Sequence, residues 1–152
     1  MSTTLNIASY VVRFSFDDGK PITNLALQKI LYFLQYLALV KTGEPICKNM
    51  IFEAWKHSPV SRQVYYQYNL YGGCWLFPDG SISDEQYDEL RRQFMEYEPY
   101  LKKWLEYNPW RLVNISRKKG CAWDRIYSKT PNAVIPLNLL KVSDMRTELG
   151  II

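Results

Sequence analysis

Apolar residues recur at helical spacing along much of this chain, most densely between Ile22 and Leu39, where it reads ITNLALQKILYFLQYLAL. Leu27, Ile30, Leu31, Leu34, Leu37 and Ala38 lie three or four residues apart and so share one helix face. Leu25, Phe33 and Val40 widen that stripe until little besides Gln28, Lys29, Tyr32, Gln35 and Tyr36 is left to face water. Lys29 and Lys41 interrupt the stretch too closely for the roughly 20 apolar residues a bilayer requires, so the pattern predicts a buried core helix and no membrane span. Thr23, with Asn24 as its rival, is placed to cap the first turn. Lys41-Thr42-Gly43-Glu44-Pro45 ends the helix with a cationic last turn, a glycine suited to the left-handed cap and a proline that cannot continue it.

The other elements follow from the same reading. Between Leu5 and Phe16, Ile7, Tyr10, Val11 and Phe14 fit a helix face, although Val11-Val12 and Phe14-x-Phe16 also tolerate an extended chain. Helix is the stronger reading, closed by the Asp17–Pro21 turn cluster. Met50–Trp55 is β-capable, and Ser58-Pro59 then resembles a cap followed by a first-turn proline, opening a helix to about Tyr71 with Val60, Val64, Tyr68 and Tyr71 on one face. Gly72-Gly73 breaks it before Trp75-Leu76-Phe77 and the Pro78-Asp79-Gly80 turn. Ser83-Asp84-Glu85-Gln86 forms a capping box for a helix bearing Tyr87, Leu90, Phe94 and Tyr97. Pro99 would cost about 3 kcal/mol inside an unbroken helix, so a break at Glu98 is expected before Leu101, Trp104 and Leu105. Asn108-Pro109 starts a short helix, Arg117–Gly120 is a loop, and Trp123 and Ile126 lie on one side of Cys121–Tyr127. Ala133–Ile135 reads as a short strand, and Pro136 opens a last helix with Leu137, Leu140 and Met145 inward. The expectation is a mainly α fold: a single compact helical domain over residues 1–152, about seven helices around a central buried helix, with room for a small two-stranded β element.

Composition agrees with a globular core. The 152 residues are 47% hydrophobic and 22% charged, about one domain's worth, without low-complexity tract or repeat. Aromatics reach 15%, enough to supply a core and leave Tyr and Trp for a contact surface. The net charge of +4 is spread along the chain apart from Arg117-Lys118-Lys119. The N-terminus carries neither a signal-peptide pattern nor a lipidation motif, so a cytoplasmic location is expected. Cys47, Cys74 and Cys121 make no C-x-x-C pair and are read as reduced, packed thiols.

Little in the chain suggests chemistry. His57 is the sole histidine, and it neighbours Ser58 on a capping geometry unsuited to a nucleophile pair. There is no His or Cys pair, no calcium loop and no glycine-rich phosphate loop, so neither metal nor cofactor is expected. Asp84, Glu85, Asp88 and Glu89 sit in the first turns of a helix, where they answer its dipole. Arg117, Lys118 and Lys119, near Trp110 and Trp123, would furnish a phosphate-and-stacking patch, but three charges neutralise few phosphates.

Two longer motifs carry a resemblance. Ile22-Thr23-x-Leu25-x-Leu27-Gln28-Lys29-Ile30-Leu31-Tyr32-Phe33-x-Gln35 is followed by a Gly43-x-Pro45 turn, then by Phe52-Glu53-Ala54-Trp55-Lys56-x-Ser58-Pro59-Val60-x-x-x-Val64-Tyr65. This order and spacing resembles the Panacea domain, also called the SocA-like antitoxin domain and frequent in phage-associated proteins. The likeness covers residues 7–72. Beyond it, Asn114, Ile115 and Ser116 replace the Thr-His pair of the family, and within it Ser58 stands where a glycine usually precedes Pro-Val.

The resemblance implies a non-catalytic protein-interaction module, an antitoxin that neutralises a toxin by direct binding or by delivering it to a protease. Two alternatives are a phage-encoded inhibitor of a host defence protein and a nucleic-acid-binding regulator. The implied partner is a protein, either a toxin or a host or phage protein, and not a membrane. Contact residues are expected in the loop and helix start, at Lys56, His57, Ser58 and Arg62, and at Tyr65, Tyr66 and Trp75. Arg117, Lys118 and Lys119 are the candidates for nucleic acid.

Overall fold

A computed structural model describes residues 3–152. The long apolar run forms helix α2, Asn24–Thr42. The Thr23 hydroxyl accepts from the Ala26 amide at 3.3 Å, and Gly43, at φ 82°, donates its amide to the Leu39 carbonyl in the left-handed cap. Leu27, Ile30, Leu31 and Leu37 have no exposed surface, each burial stabilising the fold by about 1.5–3 kcal/mol. Helix α1, Thr4–Asp17, lies against α2 and is capped by the Thr3 hydroxyl, which accepts from Asn6 at 3.1 Å.

The face of α2 expected to meet water does not. Gln28, Lys29, Tyr32, Gln35 and Tyr36 are all buried, because the backbone of residues 46–61 and 143–145 is packed over them and, at all but Tyr32, takes up their polar atoms. Gln28 grips Ser61, its amide nitrogen donating to the carbonyl at 3.3 Å and its oxygen accepting from the amide at 2.8 Å. Lys29 Nζ donates to the Pro59 carbonyl. Gln35 donates to the carbonyls of Cys47 (2.9 Å) and Met50 (3.2 Å) and accepts from the Ile46 amide (2.9 Å). Tyr36 donates to Ser143 O at 2.5 Å and accepts from Met145 N at 3.2 Å. Tyr32 packs edge-on against Phe52, and its hydroxyl finds no hydrogen-bond partner among the described residues. Burial holds the Lys29 amine well below its ordinary range and pushes the Tyr32 phenol well above its own.

Those grips reshape the segment that follows. Pro59 does not open a helix. Strand β1, Glu53–Ala54, pairs antiparallel with β2, Pro59–Val60, in the register Glu53↔Val60 and Ala54↔Pro59. Lys29 and Gln28 hold the backbone on either side of Val60 in place, which overrides the local cap-and-proline signal. Helix α3 begins two residues beyond β2, Arg62–Tyr68, and tightens into a 3-10 turn at Asn69–Tyr71. The expected strand at 133–135 is an extended strap along β1: Val134 bridges Glu53, Ala54 N donates to Ala133 O and Ile135 N to Phe52 O, both at 2.8 Å.

Helix α4, Asp84–Gln93, starts on the complete Ser83/Gln86 capping box. The break before Pro99 holds, with α5 at Glu98–Leu105. Glu98 is buried at that corner, where it accepts from Tyr10 Oη at 2.9 Å and from Arg91 at 3.1 and 3.0 Å. Helix α6, Pro109–Ser116, is capped by Asn108 and packs along α2 more extensively than any other element. The final elements are α7 (Ala122–Tyr127), α8 (Leu137–Lys141) and α9 (Arg146–Leu149). The expected last helix is thus divided, and the described residues form nine α-helices instead of about seven. The division sits where Tyr36 takes up the backbone at Ser143 and Met145. No described helix is long and apolar enough to cross a membrane. Cys47 and Cys121 are buried as expected, whereas Cys74 is exposed in the loop after α3.

Candidate functional site

The β1–β2 turn and α3 carry most of the expected contact residues. Glu53 organises them: its Oε1 accepts from Trp55 Nε1 at 2.9 Å and from Arg62 Nη2 at 3.0 Å. Trp55 meets Tyr65 edge-on at 5.0 Å between ring centroids, and Tyr65 meets Tyr66 at 5.5 Å. The result is a row of three rings running outward to Tyr66, which is 62% exposed. Lys56 and His57 stand exposed at the hairpin turn beside this row. Ser58 is buried, because the next residue, Pro59, is drawn down onto Lys29, so the expectation that it faces a partner does not hold.

The second candidate region adjoins the first. Trp123 Nε1 donates to the Trp55 carbonyl at 2.8 Å, its ring stacks on Tyr127 at 4.9 Å, and the Arg117 guanidinium lies 5.0 Å above it. Arg117 and Lys119 are exposed. Lys118 is instead ion-paired with Glu148 at 2.7 Å and with Asp144 at 3.4 Å, which raises its pKa and takes it out of any free cationic patch. Trp75 does not share this surface: it lines a cleft with Pro21, Ile22, Tyr107 and Pro109.

From the sequence Trp110 and Arg117 are singled out, but the row that Arg111 and Asn114 complete is missed. Trp110 and Arg111, then Asn114 and the capping Arg117, are the exposed positions of α6, recurring every three to four residues, while Leu112, Val113, Ile115 and Ser116 are buried. Between 111 and 129 the basic residues Arg111, Arg117, Lys118, Lys119, Arg125 and Lys129 face one acid, Asp124. That local surplus exceeds the +4 of the whole chain, so the charge is concentrated rather than spread. Reading the polar side of the helical period, as well as its apolar side, finds this row.

The α2 grip on the hairpin and the run of contacts from Trp55 to Trp123 both fall inside one matched region. A family model described as antitoxin SocA-like, Panacea domain, covers residues 27–124. The chain belongs to this Panacea family. The matched region begins within α2 and ends within α7, so the Panacea match takes in the hairpin, α3 and the exposed face of α6. A relative, the antitoxin SocA of Caulobacter vibrioides (strain NA1000 / CB15N), is 56% identical over 45 residues. That stretch is 30% of this chain and 23% of the relative. No solved structure matches the chain.

Proposed function

We propose that this Panacea protein is an antitoxin that neutralises a protein toxin by binding it directly, with no catalysis of its own. The observation that carries the reading is the Trp55–Tyr65–Tyr66 row, edged by Lys56, His57 and Arg62 and mounted on backbone that α2 grips from below. Rigid aromatic anchors lose little side-chain freedom on binding, and an arginine at their edge adds directional hydrogen bonds to a carboxylate or carbonyl. Family membership and the SocA relative support the antitoxin role. His57 is exposed at the turn, which suits a contact residue better than a catalytic base screened from water.

Co-expression with the product of the neighbouring gene tests the proposal. That product should stop growth alone and be silenced by this protein, and a complex should survive gel filtration. A Tyr66→Ala, Arg62→Glu variant should fold normally yet lose the complex and the rescue. Full rescue by that variant would remove this surface from the mechanism, and a harmless neighbouring product would remove the antitoxin reading.

A further inference from the structure

We infer that α6 and the cleft at its N-terminal end form a second surface, which binds an unpaired nucleic-acid strand with one base in the cleft and phosphates along the helix. The cleft has a volume of about 120 Å³ and is walled by Pro21, Ile22, Trp75, Tyr107 and Pro109 over a floor that includes Trp104. The polar side-chain oxygens near it are engaged elsewhere: the Thr23 hydroxyl caps α2, Asn108 Oδ1 accepts from the Trp110 amide, and the Tyr107 hydroxyl donates to the Glu148 carbonyl. What remains is ring faces and aliphatic edges, with Trp75 61% exposed at the mouth. Such walls take a flat ring by stacking and read no hydrogen-bonding pattern.

Cations stand next to this cleft. The Arg111 guanidinium lies 3.8 Å over the ring of Tyr107, itself a wall of the cleft. Arg117 follows six residues along α6, about 9 Å further at the helical rise, and is held over Trp123. Among the described residues neither these arginines nor Lys119, Arg125 and Lys129 have an ion-pair partner, in contrast to Lys118. Guanidinium groups steadied on aromatic rings present their donors in the planar arrangement that phosphate oxygens accept two at a time.

A ring-binding cleft with unneutralised arginines beside it matches a base and the phosphates that follow it. A duplex keeps its bases stacked within the helix, out of reach of the cleft. A peptide of acidic residues alone would satisfy the cations and leave the cleft without a ring.

Fluorescence anisotropy with the full chain tests this, using labelled oligo(dT), labelled oligo(U) and a labelled duplex of the same length. Single strands should bind at low salt and the duplex more weakly. The log–log salt slope should be about −2, as three phosphate contacts at about −0.7 each give. Arg111→Ala with Arg117→Ala should weaken binding at least tenfold and flatten the slope by about 1.4. Trp75→Ala should weaken it about tenfold and leave the slope alone, since stacking carries no counterion. Lys119→Glu, in the turn, repeats the charge test should the double variant fold poorly. A preference for oligo(U) or for oligo(dT) assigns the strand as RNA or DNA, and either supports the inference. Absence of binding to both single strands overturns it, as does a duplex bound equally well. Oligonucleotide binding that is unchanged in the Trp75 variant also overturns it, since the contact would then be charge alone, as an acidic protein partner would make.

Discussion

The polar residues of α2 and those of α6 look alike in a helical projection and do opposite things. Gln28, Lys29, Gln35 and Tyr36 point into the molecule, and each hydrogen-bonds main chain of the loops or of the short hairpin packed over the helix. Arg111 and Arg117 on α6 point outward and meet rings of their own neighbourhood, without a carboxylate. The difference lies in what covers each helix. The 46–61 segment, with its two-residue strands, and the 143–145 turn lie over α2, and buried backbone that no long strand or helix pairs must find partners, so side chains on the helix supply them. No loop covers the exposed row of α6, and its charge stays available. A polar face thus builds the fold in one place and is left for binding in the other.

The sharpest way to break the first half of this comparison is Leu31→Asp. Leu31 is fully buried in α2, and an unpaired carboxylate there should destabilise the fold by more than about 4 kcal/mol. The variant should be unfolded by circular dichroism, and a folded Leu31→Asp protein would show that α2 is not the organising element. Next in size is Gln35→Ala. It removes three hydrogen bonds and leaves the Met50 carbonyl and the Ile46 amide without a partner, while the Cys47 carbonyl keeps only the Met50 amide, a loss of about 2–3 kcal/mol. Urea unfolding should register it as a lower midpoint with unchanged slope. If α2's glutamines were merely tolerated inside, the midpoint would barely move.

Local signals were legible in the sequence and long-range ones were not. The caps at Thr23, Ser83 and Asn108, the glycine stop at Gly43 and the break before Pro99 all depend on residues within a turn of one another, and each stands where the pattern put it. The burial of Gln28 depends on Ser61 and that of Tyr36 on Ser143, residues remote in sequence, and no periodicity carries that information. The same cause misplaced Pro59, whose local helix-start chemistry yields to the pull of Lys29. At the candidate site, exposure of Tyr66 and Trp75 followed from their loop and helix-edge positions. Burial of Ser58 and the pairing of Lys118 with Glu148 did not, since both are set by partners far along the chain.

Lys29 gives the comparison a pH-dependent edge. Burial favours its neutral amine, so its folded pKa lies below its ordinary 10.5 while the unfolded chain keeps that ordinary value. Between the two values the unfolded state holds a proton that the folded state lacks, and stability must fall as pH falls from 10.5 toward the folded pKa. The slope attributable to Lys29 is about 1.4 kcal/mol per pH unit inside that window. Buried tyrosines such as Tyr36 act in the opposite sense above their ordinary 10.0, losing stability as pH rises, so wild type should be compared with Lys29→Met, where the tyrosine contribution cancels. The difference in unfolding free energy between the two proteins should change with pH at that rate through the alkaline window. A difference independent of pH would mean the amine is hydrated in the folded state.

The smallest expected effect on stability belongs to the outward-facing side. Tyr66 is mostly exposed, touches only Tyr65 among the ring contacts, and makes no hydrogen bond among the described residues. Tyr66→Ala should therefore shift stability by no more than about 0.5 kcal/mol, the range of ordinary surface changes. Its effect on binding is expected to be far larger, because an exposed ring at the end of a rigid row loses all of its contact area on truncation. Isothermal titration against the partner, alongside thermal melts, separates the two quantities. A Tyr66→Ala protein that melts like wild type but binds at least tenfold more weakly places the working chemistry on the uncovered side of the molecule. A variant that melts early and binds normally once folded would assign Tyr66 to the scaffold, and would move it to the α2 side of the comparison.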